Sequence, residues 1–469
     1  MSGWCPLDEL VHWELVQARE EGKDVADLVA RLAALQSHAG TERGDPARDE
    51  ALAALASEAL SRPVAPDFPF EEPNALDAIR RARPAGPRDL EVTVADEAML
   101  DRFHGAWLGR SIGCSLGLPL EVDPFTGGLP GAPGWQCVQR WFAGADAWPI
   151  AGYTPRESRA EAEHGLAVRR ERGACREDIR RMEPDDDIRY TVLGLLLLER
   201  HGFAFDSWDV GKMWHEVLPY GAVCTAETQA YLNFAQVTSH LNAPKPADFR
   251  ARLDWVRTHL NPYREWIGAQ IRVDAYGYAA AFRPERAAAL AWEDASFSHV
   301  KNGVYGAMFC AAMIAAAFGV VDGRACVEAG LAEIPARSRL AADVRAAIAI
   351  AESSSTPLEL VERIEKAFGH YFWVHTNNNT ALVAAAIVFA RDDFEAAVTT
   401  AVLGGWDTDC NGATVGSIMG AMVGASRIPE HWKAPLGDTL CAGIPGFDPI
   451  AISACAARSL ALWKRLGRE

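Results

Sequence analysis

Near its C-terminal end the chain carries Gly404-Gly405-Trp406-Asp407-Thr408-Asp409-Cys410-Asn411-Gly412, which runs into Ala413-Thr414-Val415-Gly416-Ser417-Ile418-Met419-Gly420. Two carboxylates, two positions apart, stand between glycines and lead into an apolar stretch of small residues. Burying such a pair beside an apolar helix is costly unless a cation or hydrogen bonds compensate the charge. The glycines permit tight turns and close approach of a neighbouring segment. The fold must therefore bring a second set of polar groups to this helix start, and a hard cation is the simplest partner for both.

The remaining pattern is helical. Leu7, Leu10, Val11 and Leu15 form one apolar stripe, and Val25, Leu28, Val29, Leu32 and Leu35 form another. Thr41 to Asp49 reads as a polar loop before a helix over 50–60. Six prolines between Pro63 and Pro87 mark a connector with one short helix near 74–83. The expected organisation is an accessory helical segment over 1–62, a proline-rich connector over 63–90 and a main domain over 91–469.

The main domain opens with a helix near Glu97 in which Gly105, Gly109, Gly113 and Gly117 recur every fourth residue, so a second helix can pack closely on it. Pro119 ends that helix and leaves Glu121 just beyond it. The Gly-, Pro- and Trp-rich stretch 123–154 reads as a long ordered loop, and loops of that length are usually functional. Helices are expected over 207–218, 225–238, 246–258, 285–295, 302–318, 324–332, 338–350, 356–367, 379–390, 394–403, 413–425 and 449–466. No alternating strand of useful length is found. The expected fold class is all-α, one large many-helix domain with an N-terminal helical extension.

Composition excludes some functions. A net charge of −17 leaves no basic surplus for a nucleic-acid backbone. The uncharged run from Gly303 to Val321 is alanine-rich and reads as a helix buried on all sides, so no membrane span is expected. Met1 to Glu21 is acidic and interrupted, unlike a secretory signal. The ten cysteines are irregularly spaced without a Cys-x-x-Cys, which fits reduced thiols in a cytoplasmic protein.

Asp185-Asp186-Asp187, preceded by Pro184 and followed by an apolar run, marks a helix N-terminus. Alone, it would be a solvated first turn that complements the helix dipole. Asp407 and Asp409 hold the same position relative to their own helix. Oxygens converging from two helix starts suit Mg²⁺, Ca²⁺ or Mn²⁺ and not zinc. His299 and Asn302 read as capping partners beside Ser298, and His375 before Asn377-Asn378-Asn379 reads likewise. No Gly-x-Ser-x-Gly and no Gly-x-Gly-x-x-Gly turn is present.

These residues resemble the ADP-ribosylglycohydrolases over roughly 100–430, in the order of that family's motifs. Gly109 to Gly117 followed by Glu121 looks like the family's glycine-rich helix and glutamate. Asp185-Asp186-Asp187-Ile188 is similar to its Thr-Asp-Asp-Thr motif. Tyr276-Gly277-Tyr278-Ala279-Ala280-Ala281-Phe282-Arg283 looks like its substrate loop, and His299 matches its histidine. Gly404 to Cys410 resembles its Gly-Gly-Asp-Thr-Asp-Thr motif.

The resemblance implies an all-α hydrolase, with two Mg²⁺ (or Mn²⁺) orienting the ribose of an ADP-ribosyl group on a protein or a small molecule. Asp185, Asp186, Asp187, Asp407 and Asp409 would be its metal ligands. Glu121 would be the acid/base or water-positioning residue, with Asp187 counted beside it among the catalytic groups. Tyr276, Gly277, Tyr278, His299 and Trp406 would contact the substrate. Such chemistry is sound: a cation pair orients hydroxyls and activates water while a carboxylate handles the proton.

The departures from the pattern are Asp185 and Cys410 in place of threonines, Cys114 where an Asp often sits, Tyr278 in place of Asn, and an inserted Trp406. Alternatives are an N-glycosidase acting on a free nucleotide or nucleoside, a non-catalytic ADP-ribose binder, and a class I terpenoid synthase. The last lacks its second metal motif.

Overall fold

The structure is a computed structural model that describes residues 3–37, 45–238 and 243–467. It is all-α, with a single two-stranded antiparallel pair, Thr439–Leu440 against Ile450–Ala451, among the described residues. Most expected helices form within a few residues of their expected ends. Part of the expected Thr41 to Asp49 loop lies outside the described residues, and the helix after it starts at Pro46.

One large apolar core holds the main domain together. Its centre is the Lys301–Ala317 helix, buried on all sides. No helix among the described residues is long and apolar enough to cross a membrane. All ten cysteines are free.

Three differences from expectation bear on the site. The stretch 123–154 is not all loop: Gly134–Gly144 is a helix that buries Trp135, Val138, Trp141 and Phe142 on one face. That spacing is helical, but the prolines and glycines around it mask the pattern. The Thr408–Val423 helix begins five residues before the expected 413, so Asp407 is its N-cap and Asp409 lies in its first turn. The Thr376–Ala390 helix also starts early, with the His375 ring nitrogen accepting from the Asn377 amide at 3.0 Å.

The N-terminal helices Leu7–Glu20, Ala26–Ser37 and Pro46–Ser61 share a small apolar core built on Val11, Leu15, Leu28, Leu52 and Leu55. The first also buries a polar face against the main domain. Arg264 reaches Glu14 at 2.8 Å and Glu21 at 2.9 Å, and Gln17 donates to Glu265 at 2.7 Å. Burial alone would raise the Glu265 pKa, but Arg339 and Lys301 outweigh it and hold it at about 2. Breaking a buried pair of this kind leaves an uncompensated charge and costs about 3–5 kcal/mol. The connector is tied down in the same way, with Glu72 paired to Arg339 at 2.8 Å.

Candidate active site

The Asp96–Gly117 and Thr408–Val423 helices run antiparallel with their glycines face to face. Gly105 meets Gly420, Gly109 meets Gly416, Gly113 meets Gly412, and Gly117 meets Thr408. A Cβ on any of these glycines would come closer than 3.0 Å to backbone across the interface. The end of one helix is thus locked beside the start of the other, where Thr408 Oγ1 donates to the Gly117 carbonyl at 2.9 Å. Glu121 follows the first helix through the Leu118–Leu120 turn and faces the same cavity as Asp407.

A tight turn delivers Asp407. Gly405 and Trp406 both adopt left-handed φ, 72° and 57°. For a tryptophan that conformation costs roughly 1–2 kcal/mol. Gly405 backs onto the Phe125 carbonyl and Trp135 amide, which leaves no room for a side chain there.

The other acids come from the start of the Asp186–His201 helix. Asp185 caps it, with Oδ1 accepting from the Asp187 amide at 3.1 Å and Oδ2 accepting from Arg172 at 2.7 Å. Asp187 Oδ1 accepts from Arg110 at 2.9 Å, and Arg110 also lies 2.9 Å from Asp274. The two halves then meet. Ligand atoms of Cys114, Asp185, Asp187 and Asp409 lie within 4.8 Å of one another, as do those of Asp407, Asp409 and Cys410.

The cluster is under-compensated. Asp187 Oδ2, Asp407 Oδ1 and Asp409 Oδ1 are buried without a hydrogen-bond partner. Burial, and then the neighbouring carboxylates, push Asp409 up to about 7 and Asp186 up to about 8. Asp407 rises well above the usual range from burial and Asp409. Asp187 rises well above it too, from burial and despite Arg110.

Glu121 also stands well above its usual value, from desolvation and then Asp409, Asp185 and Asp186, although Arg169 donates to its Oε2 at 2.6 Å. Cys114 and Cys410 are pushed well up by burial and the same carboxylates, so both stay as thiols. A donor set of carboxylates with protonated sulfur fits a hard divalent cation and not a soft one.

Part of this cluster lines one end of a cavity of about 450 Å³. Glu121, Asp185, Asp186, Asp407 and Cys410 line it, with Arg169 and Arg172 between them. The far end is aromatic: Trp4, Trp13, Tyr263, Trp266 and Phe372.

The five residues expected to touch substrate do not line this cavity. The Tyr276 hydroxyl donates to Asp294 at 2.7 Å and its ring stacks on Phe205. Gly277 packs against Ile314. The Tyr278 hydroxyl lies 2.8 Å from Ser417 Oγ, with its ring among Phe103, Trp107 and Phe318. His299 is fully buried, with Nδ1 2.8 Å from Ser298 Oγ and Nε2 behind the cavity-lining Glu227 at 3.9 Å. Trp406 is buried and serves the turn before Asp407. Each aromatic finds core neighbours or a buried acceptor, which removes it from the wall.

Sequence reasoning passed over Arg110, Arg169, Arg172 and the whole aromatic end. Arg110 carried a signal: it is the only charged residue between Gly105 and Leu120. Such a lone charge in an apolar helix must find a buried partner. Arg169 and Arg172 had none, because they sit in a stretch rich in both charges, at and within the short Arg170–Arg172 turn.

A comparison with curated proteins returns no match. A solved structure described as an ADP-ribosylglycohydrolase-related protein complex shares 21% identity with the chain, covering 78% of it and 99% of that structure's chain, with a TM-score of 0.41. The model of the ADP-ribosylglycohydrolase family matches residues 95–462, from the start of the glycine-faced helix pair to the last helix. The chain belongs to the ADP-ribosylglycohydrolase family.

Proposed function

We propose that the protein is a Mg²⁺-dependent hydrolase that cleaves the N- or O-glycosidic bond of an ADP-ribosyl group. The observation that carries this reading is the trio of buried, unpartnered oxygens on Asp187, Asp407 and Asp409, of which Asp407 lines the cavity together with Glu121. Unpaired buried carboxylates are rare because they are costly, and they gather where a cation binds or a proton moves.

In this reading Asp185, Asp187, Asp407 and Asp409 hold the metal, with Asp186 on the cavity wall beside them. A divalent cation held by these residues would supply Lewis acidity, which orients ribose hydroxyls and activates water. Arg110 fixes the Asp187 carboxylate from behind, so the donor set is oriented before any ligand arrives. Glu121 lies on the cavity wall, and its raised pKa favours the protonated form, which can give a proton to the leaving atom or, once ionised, take one from the attacking water. The surrounding carboxylates stabilise the positive charge that develops on the ribose as the bond breaks. Arg169 holds Glu121 in place through its carboxylate and its backbone carbonyl.

The test is incubation with Arg-, Ser- and O-acetyl-linked ADP-ribosyl substrates, with and without Mg²⁺. Free ADP-ribose from at least one of them, only with metal, is expected. Release that ignores metal, or none from any substrate, contradicts the reading. A second reading, an N-glycosidase acting on a free nucleotide-type molecule, is favoured by one observation: Trp4 and Trp13 wall in the far end of the cavity.

A further inference from the structure

The family match begins at residue 95, yet Trp4, Glu9 and Trp13 line the cavity. The segment that brings them is firmly anchored. Trp4 donates its amide to Gln229 at 3.0 Å, and Cys5 Sγ lies 2.7 Å from the Tyr263 hydroxyl. The Arg264 pairs hold the helix that follows.

The rings meet at angles that leave faces as walls. Trp13 stands at 86° to Trp266 with centroids 5.4 Å apart, and at 54° to Phe372 at 4.5 Å. Tyr263 closes on Trp266 at 4.6 Å.

The unmatched charge at this end has one sign. Glu227 is matched by Arg272 at 2.7 Å, and Asp8 by Arg48 at 3.3 Å. Glu9 makes no ion pair among the described residues, and its charge acts on Tyr263 and Cys5. The cavity's own basic residues, Arg169 and Arg172, are at the opposite end and bound to Glu121 and Asp185. Aromatic faces with a free carboxylate and no competing cation are the elements that recognise a cation, and planar ones stack best.

We infer that the N-terminal segment builds a second subsite, an aromatic box that takes a planar delocalised cation carried by the substrate, a guanidinium or a pyridinium. This rests on the reading of the acid end as the place where the glycosidic bond is cleaved, and it makes the box the seat of the leaving group.

The test uses the full chain and calorimetric titration with methylguanidinium and N-methylpyridinium, against methylurea and toluene as neutral partners of the same shape. At least one cation binds at least tenfold tighter than its neutral partner. Trp13→Ala weakens that cation about tenfold, and Glu9→Gln about fivefold. Trp4→Ala alters a half-exposed residue and gives a second reading if Trp13→Ala fails to fold.

Which cation binds identifies the leaving group. Equal binding of cation and neutral partner, or cation binding untouched by the Trp4, Trp13 and Glu9 variants, overturns the inference, since the cation is then held by the acid cluster alone. Asp409→Asn should leave binding in the box intact. Box binding without any glycosidic cleavage would retire the hydrolase reading and keep the subsite. Cleavage without box binding would do the reverse.

Discussion

Gly109 and Gly416 face each other so closely that a Cβ on either would press into the other's carbonyl. This contact, repeated up and down two helices, sets Glu121 beside Asp407. It turns a helix-packing motif into the scaffold of the site.

Alanine is normally the better helix former, by about 1 kcal/mol over glycine. At Gly416 the sign reverses. Gly416→Ala overpacks backbone against backbone and should destabilise by about 3 kcal/mol, the upper end of the overpacking range, because no flexible side chain can yield. Chemical denaturation measures it, and an unchanged midpoint would mean the helices are not in backbone contact.

Stability of the metal-free protein should fall as pH rises. Asp409 and Asp186 are raised to about 7 and about 8, so the folded state keeps protons that unfolded carboxylates lose near pH 4. Their contribution is complete below the unfolded pKa and is lost as pH climbs through 7 and 8. Thermal melts in chelator at pH 5.5 and 8.5 should show the decline, and Asp409→Asn should flatten it. Millimolar Mg²⁺ should stabilise more at the higher pH, where the ligands are free to bind it.

The N-terminal segment should behave as part of the main domain. Arg264→Met strands Glu14, while Glu21 keeps Lys23 and Lys301, and should cost about 3–5 kcal/mol. Limited proteolysis should then cut within the first sixty or so residues at much lower protease levels than in the wild type.

Glu121→Gln keeps the shape of the side chain and removes its proton exchange. A loss of about 10²- to 10⁴-fold in turnover is expected, with the melting temperature held within a few degrees. A variant retaining most of its activity would give the proton-transfer role to another group.

The all-α fold, the two acid motifs and the close glycine packing were legible because each leaves a local mark: a period of 3.6, a proline before acids, a glycine every fourth residue. The convergence of Asp185 and Asp187 on Asp409 followed from placing both motifs at helix starts. Tyr276, Tyr278 and His299 lie off the cavity wall, because a motif fixes position in the chain but not the direction of a side chain. Their orientation depends on core neighbours such as Asp294 and Ser417, which no local pattern announces. The aromatic end was hidden for the same reason. Trp13 and Trp266 lie about 250 positions apart in sequence and become neighbours only when the N-terminal segment docks, through contacts such as the buried Arg264 pairs and Gln17 on Glu265.

The most direct test compares ADP-ribose release by the wild type in Mg²⁺, the wild type in chelator, and Asp409→Ala in Mg²⁺, with folding of the variant checked by its melting curve. Release in the first and loss of at least a thousandfold in the other two is the predicted result. Release of equal rate in chelator, or by folded Asp409→Ala, would contradict a cation-dependent hydrolysis at this cluster.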